Sequence, residues 1–244
     1  MKRIAAIVIL FANVNAFAQC TPTLNDAKLD VVSRGLWRGI DLGGPIFAEP
    51  EVNVGLCGRP VTTTGNRGVD LTLDAWIPPN RDDFDLYTVG LRHLWYLKDR
   101  DNFVAASVRE FHWDFGTEPW TTEIAIEARG KITRESSGFT AHPFIEIARD
   151  LNRFKGTYAR VGIDHEIGAQ NIPFQVAVQL YGSVSNYDRT IGFHDAQLSV
   201  WAVKRIGSGA TRIGVGGGYD RVARNLGFGH SHAWAGVRLQ RIHS

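Results

Sequence analysis

The stretch DVVSRGLWRGIDLGG, residues 30–44, sets two Arg-Gly pairs four residues apart among Val, Leu, Trp and Ile. In the core of a soluble sheet this composition is self-defeating. Charge carries a desolvation cost, and glycine removes packing. Read as a strand, Asp30, Arg34 and Arg38 share one face, and Val31, Gly35, Trp37 and Gly39 share the other. The pattern becomes sensible when the charged face looks into a wet interior and the apolar face looks out at lipid, as in a transmembrane β-barrel.

The same period of two runs through the chain. Asp70, Thr72 and Asp74 alternate with Val69, Leu71, Leu73 and Ala75. Glu123, Ala125 and Glu127 alternate with Ile124, Ile126 and Ala128. Tyr158, Arg160, Asp164 and Glu166 alternate with Ala159, Val161, Ile163 and Ile167. Gln175, Gln179 and Ser183 oppose Val176, Val178 and Leu180, and Asp195, Gln197 and Ser199 oppose Ala196, Leu198 and Val200. Turn-forming clusters punctuate the segments: GLCGRP, PPNRDD, LKDRDN, RESSG, DLNRFK, GAQNIP and RIGSGA among them. They predict about twelve strands, near 28–40, 49–57, 67–77, 84–97, 102–113, 120–130, 138–149, 156–167, 173–184, 193–205, 210–219 and 230–241. Facing is least clear at 102–113 and 210–219. The fold class expected is all-β: a closed antiparallel barrel of about twelve strands, an up-and-down meander. The alternative is a soluble sandwich or barrel with the facing inverted. Lean apolar faces of Ala, Val, Leu and Ile, aromatics near strand ends (Trp76, Trp95, Tyr96, Trp113, Trp120) and an even strand count favour the membrane barrel.

Residues 1–18 read as a secretory signal peptide: Met1-Lys2-Arg3, an apolar run from Ile4 to Phe17, and the small-x-small pattern Ala16-Phe17-Ala18, with cleavage expected after Ala18. Residues 19–244 form the barrel. Loss of Lys2 and Arg3 leaves 25 basic against 25 acidic residues. That balance gives no field for nucleic acid. The expected surroundings are outer-membrane lipid, small polar solutes and the outer-membrane assembly machinery, in a bacterial outer membrane. No apolar run approaches the roughly 20 residues of a transmembrane helix.

VVSRGLWRGIDLGGP (31–45) resembles the first strand of the TorF-type outer-membrane porins. DDFDLYTVGL (82–91) and GTEPWTTEIAIEAR (116–129) are similar to two of their later strands. The resemblance implies a porin-like barrel and supplies no catalytic residues. The chain departs from the usual barrel ending on an aromatic residue, closing instead Leu239-Gln240-Arg241-Ile242-His243-Ser244.

The face assigned to the lumen carries both signs: Arg34, Arg38, Arg92, Arg160, Arg212 and Arg238 against Asp70, Asp74, Glu123, Glu127, Glu146, Asp164 and Glu166. In a narrow barrel these groups must pair. They line either a narrow mixed-charge pore for passive passage of small polar solutes or the filled interior of a structural barrel. Eight strands leave a filled interior and 16–18 an aqueous channel, so twelve lies between. No loop looks long enough for a large constriction loop.

GFGHSHAW (227–234) raises the possibility of an outer-membrane lipid hydrolase using His230 and Ser231. Adjacent strand residues point to opposite sides, however, so the base would have to be His142, His165 or His194 brought from a distance. A soluble periplasmic all-β binding protein is the third class. His230 and His232 alone do not define a metal site, and no cofactor is implied. GVGGGYD (214–220) lacks the following helix of a phosphate loop and marks a bend or close packing around a lumen side chain. Cys20 and Cys57, both expected at the periplasmic rim of an exported protein, are candidates for a disulfide.

Overall fold

The computed structural model describes residues 22–37, 40–41, 46–58, 67–78, 85–97, 101–113, 120–134, 139–152, 155–167, 175–186, 191–206, 211–222 and 231–242. The expected signal peptide, Cys20, Arg38 and His230 lie outside them. Among the described residues fifteen strands form in chain order: β1 (Thr23–Val32), β2 (Leu36–Trp37), β3 (Ile40–Asp41), β4 (Phe47–Gly58), β5 (Arg67–Trp76), β6 (Leu86–Tyr96), β7 (Phe103–Trp113), β8 (Trp120–Arg129), β9 (Ile132–Arg134), β10 (Phe139–Asp150), β11 (Thr157–Ile167), β12 (Gln175–Ser185), β13 (Gly192–Ile206), β14 (Thr211–Val222) and β15 (His232–Ile242). Twelve are long; β2, β3 and β9 are short. Every long strand pairs antiparallel with its neighbours in sequence. β1 also pairs with β15, Asp30 opposite Arg238, and β10 with β11. No edge is left, so the sheet is a closed twelve-strand barrel.

The expected meander is therefore present, with one displaced element. β1 stops at Val32, not at residue 40. The Arg-Gly stretch that suggested the fold turns instead into the β2–β3 hairpin, Trp37 opposite Ile40. The chain before that hairpin folds inward. A side chain at Gly35 would meet the Phe47 ring at 2.8 Å, and Arg34 lines the interior cavity.

Two prolines sit inside strands at gaps in the ladder. Proline has no N–H to donate. Pro50 falls in the break between the Glu51–Asp74 pair and the isolated Ala48–Ile77 bridge. Pro143 falls where β8 gives way to β9, and its carbonyl accepts the Gly130 N–H at 2.9 Å. β9 resumes on β10 with Ile132 opposite Ala141, so β8 and β9 act as one interrupted strand.

Facing follows the alternation. Ile126, Ile147, Val161, Val215, Val237 and Leu239 are among the most exposed large apolar side chains, Ile126 at 63% and Val161 at 62%. Charges on the intervening positions are half-buried or buried. A soluble fold would reverse this. Aromatics bound the belt: on β6, Tyr87 and Trp95 face out near opposite ends. Eight residues at ~3.3 Å each, tilted by ~40°, span roughly 20 Å, close to the apolar height of a bilayer barrel.

Candidate functional site

Strand termini divide the lumen into a loop end, near Val32, Asp150 and Asp220, and a terminus end, near Thr23 and Ile242. Between them lies a cavity of about 410 Å³. Lys28, Arg34, Arg92, Arg109, Arg160 and Arg238 line it, with Asp30, Glu49, Glu51, Asp74, Glu127 and Glu146.

These charges form a belt running strand to strand. On β1, Lys28 Nζ lies 2.8 Å from Glu51, 3.6 Å from Glu49 and 3.7 Å from Asp30. Arg238 of β15 holds Asp30 through two hydrogen bonds, Nε at 2.8 Å and Nη2 at 2.7 Å. Such a fork–fork pair fixes both partners. Arg92 reaches Asp70 at 2.9 Å and Glu127 at 3.6 Å. Arg109 bridges Glu123 (3.5 Å) and Glu146 (2.6 Å). Arg160 adds a second contact to Glu146 at 3.4 Å. Nearer the terminus end, Arg129 binds Asp164 at 2.8 Å, and Gln179 Nε2 donates to Asp164 at 2.8 Å. Aromatic faces back the guanidinium groups: Arg238 lies 4.0 Å from the Trp201 ring centroid and Arg160 5.3 Å from that of Phe144.

On the lumen face of β13 and β14 the belt gives way to Gln197, Ser199, Trp201, Gly216 and Gly218. The glycines are required there. A Cβ at Gly216 would meet Trp201 at 2.5 Å, and one at Gly218 would meet Trp234 at 2.6 Å. The GVGGG run is thus close packing around lumen side chains.

The loop end is filled. Val32, Phe47, Leu86 and Phe111 form a buried apolar cluster with Trp76 packed against it, Phe47 and Leu86 at 0% exposure. On the strands that follow, Thr121, opposite Phe111, donates to Asp150 at 2.6 Å, and Ser185 Oγ and His194 Nδ1 are hydrogen-bonded at 2.8 Å.

Of the thirteen residues expected to line a lumen, Arg34, Asp74, Arg92, Glu127, Glu146, Arg160 and Arg238 line the cavity. Asp70, Glu123 and Asp164 pair with its arginines. Arg212 faces Gln240 across β14–β15 near the terminus end. Glu166 sits opposite Thr140, with its side chain outside the described residues, as is all of Arg38. The sequence reading passed over Lys28, Glu49, Glu51, Arg109 and Arg129. Lys28 stood at an expected strand end, Pro50 masked the Glu49–Glu51 alternation, and Arg109 lies beside Glu110, which puts charge on both faces.

The His–Ser possibilities separate. Ser231 is exposed at the loop end, just before β15. His142 and His165 lie near the terminus ends of β10 and β11, where His142 faces Asp164 and His165 Nδ1 bonds the Thr140 carbonyl oxygen at 2.6 Å. Neither can serve Ser231. His194 is engaged with Ser185.

No family model matches the chain, and no curated protein does. Solved structures do. The β domain of the Bordetella autotransporter BrkA matches with a TM-score of 0.52 at 12% identity, covering 91% of this chain and 98% of that one. The KdgM porin, solved in complex with disordered oligogalacturonate, matches at 0.48 and 8%, covering 91% and 100%. LpxR from Salmonella typhimurium matches at 0.46 and 10%, covering 89% and 100%. The TorF-type resemblance accordingly rests on its three sequence patches alone. By its closed antiparallel meander and its outward apolar belt, the chain has the fold of the outer-membrane β-barrels.

Proposed function

We propose that the protein sits in a bacterial outer membrane, with its termini toward the periplasm, and passes small polar solutes passively through a narrow mixed-charge lumen. The cavity carries this reading. At ~30 Å³ per water it holds about fourteen waters, and its walls offer six cationic and six acidic side chains. Paired charges of both signs suit small polar or zwitterionic solutes better than large ions of one sign. The loop end holds the buried apolar cluster of Phe47 and Leu86, both at 0% exposure.

The second reading is a structural barrel. The density of ion pairs and the sealed loop end favour it. Planar-bilayer recording of the refolded protein separates the two. A channel gives small ohmic steps that grow when Phe47→Ala opens the loop end. Silence from both the native protein and the variant, each verified as folded by heat-modifiable gel mobility, refutes passage and leaves the structural barrel.

A further inference from the structure

A β-bulge in β13 turns two consecutive side chains into the barrel. Gly182 pairs with Ala196 and Val184 with Phe193, so His194 and Asp195 together oppose Ser183. Both are buried, at 2% and 0% exposure. Bulges commonly re-aim side chains in this way. Asp195 accepts hydrogen bonds from the hydroxyls of Tyr181 (2.9 Å), Tyr158 (3.3 Å) and Ser183. On the next strand Asp220 lies opposite Gln197, which makes it a diagonal neighbour of Asp195 on the inward face. Asp220 is also at 0% exposure, and neither of its carboxylate oxygens has a hydrogen-bond partner.

Two buried carboxylates therefore share the inward face at diagonal positions across β13 and β14. Among the described residues neither is ion-paired. Arg160, one layer deeper on β11, is directed to Glu146. Most other lumen carboxylates differ: Asp30, Asp70, Glu123, Glu146 and Asp164 each meet a guanidinium, while Asp74, like Asp220, has a buried carboxylate oxygen with no hydrogen-bond partner. An uncompensated buried charge is costly, and a doubled one more so.

We propose that Asp195 and Asp220 bind a hard divalent cation, calcium being the best match. The donors within reach are carboxylate and hydroxyl oxygens, and calcium accepts six to eight oxygens, water included, in a flexible geometry. Magnesium demands a regular octahedron and sheds water reluctantly. Among the described residues no three His, Cys, Asp or Glu side chains converge to hold a metal, so hydroxyl oxygens and water must complete the shell, which calcium takes more readily than zinc, and His194 is committed to Ser185. The cation would tie β13 to β14 at the loop end. The hydroxyls of Tyr158, Tyr181 and Ser183 fix the Asp195 carboxylate and leave Asp220 open to it.

A shared proton is the rival way to neutralise the pair, and terbium luminescence separates the two. Refolded barrel in detergent is titrated with TbCl₃ under ultraviolet excitation of its aromatic side chains, then with CaCl₂. The site gives saturable terbium emission that calcium displaces, with half-saturation by calcium on the order of 10⁻⁴–10⁻³ M, as in extracellular calcium modules. Asp220→Asn, which removes charge but keeps shape, weakens it at least about tenfold, the loss expected when one of two carboxylate ligands goes. Glu51→Gln, in the acidic patch of β4, leaves it in place. Thermal unfolding of the native protein in calcium against chelator gives a second reading that needs no variant, with the midpoint higher in calcium. Absence of saturable emission together with a calcium-independent midpoint overturns the site. So does emission kept in Asp220→Asn but lost in Glu51→Gln, which would place the ion among the acids of β1, β4 and β5.

Discussion

Arg109→Met is the sharpest test of the charged belt. Arg109 keeps 20% of its side-chain surface, whereas its partners Glu123 and Glu146 keep 1% and 3%. Methionine fills much of the same volume without the charge. Glu146 retains Arg160 at 3.4 Å, and Glu123, the more deeply buried of the two acids, loses its 3.5 Å ion pair. Breaking a buried pair by removing one partner costs about 3–5 kcal/mol, because the remaining charge is left in a low-dielectric site. Arg129→Met is the internal control: that pair is more open, at 31% and 25%, and Asp164 keeps its bond from Gln179. Its loss belongs with exposed pairs, at or below about 1 kcal/mol. Urea unfolding of each variant in lipid vesicles measures both. The combined variant Arg109→Met, Glu123→Gln, Glu146→Gln should recover much of the loss, since no bare charge is left behind. An Arg109→Met loss under about 1 kcal/mol, or one equal to that of Arg129→Met, would show that water reaches these carboxylates freely, and the buried-belt argument would fail.

Two further expectations concern facing and covalent closure. Cysteines placed at Val161 and Asp164 in lipid vesicles should differ in reactivity, a water-soluble thiol reagent reaching position 164 far better; equal labelling, or the reverse order, contradicts a lipid-facing Val161. Cys57 lies at the terminus end of β4, one residue before its close, beside the Gly55–Thr23 pair, so a bridge to Cys20 would close a loop of about 36 residues, worth about 3–4 kcal/mol in the chain-entropy model; two free thiols in the denatured mature protein without reductant rule it out.

Most of the barrel was legible because a sheet buried on one face and exposed on the other writes its facing at period two. The strand from Thr157 to Ile167 could be read residue by residue, since Arg160 and Asp164 alternate with Val161 and Ile163 and no bulge intervenes. Legibility failed where the backbone departs from that period. His194 would face outward by strict alternation, and the bulge opposite Ser183 turns it in. Pro50 fell inside the expected strand at 49–57, and its missing donor lies in a gap of the ladder. The DVVSRGLWRG stretch pointed to the right fold through a partly wrong geometry: its charges do look inward at Asp30 and Arg34, but the strand ends between them. Pairing was beyond reach for another reason. Which arginine meets which acid depends on register between strands distant in sequence, as Arg238 with Asp30 shows, and only closure of the barrel brings those two together.

The belt and the bare wall divide the lumen's tasks. From β15 round to β12, most inward charges are engaged with one another, and widening the lumen there means separating ion pairs. Along β13 and β14 the inward face beside the cavity offers Gln197, Ser199 and the Trp201 ring over glycine, all neutral groups. The proposed passage therefore runs along this wall, where a solute exchanges hydrogen bonds with neutral groups while the charges behind it stay paired. The wall ends at Asp220 and Asp195, two buried carboxylates that, among the described residues, carry no ion pair. A cation held there would stand at the loop-end head of the path. Occupancy of the pair would then bear on conductance as well as stability, because the strands it joins are those that the ion-pair belt leaves free.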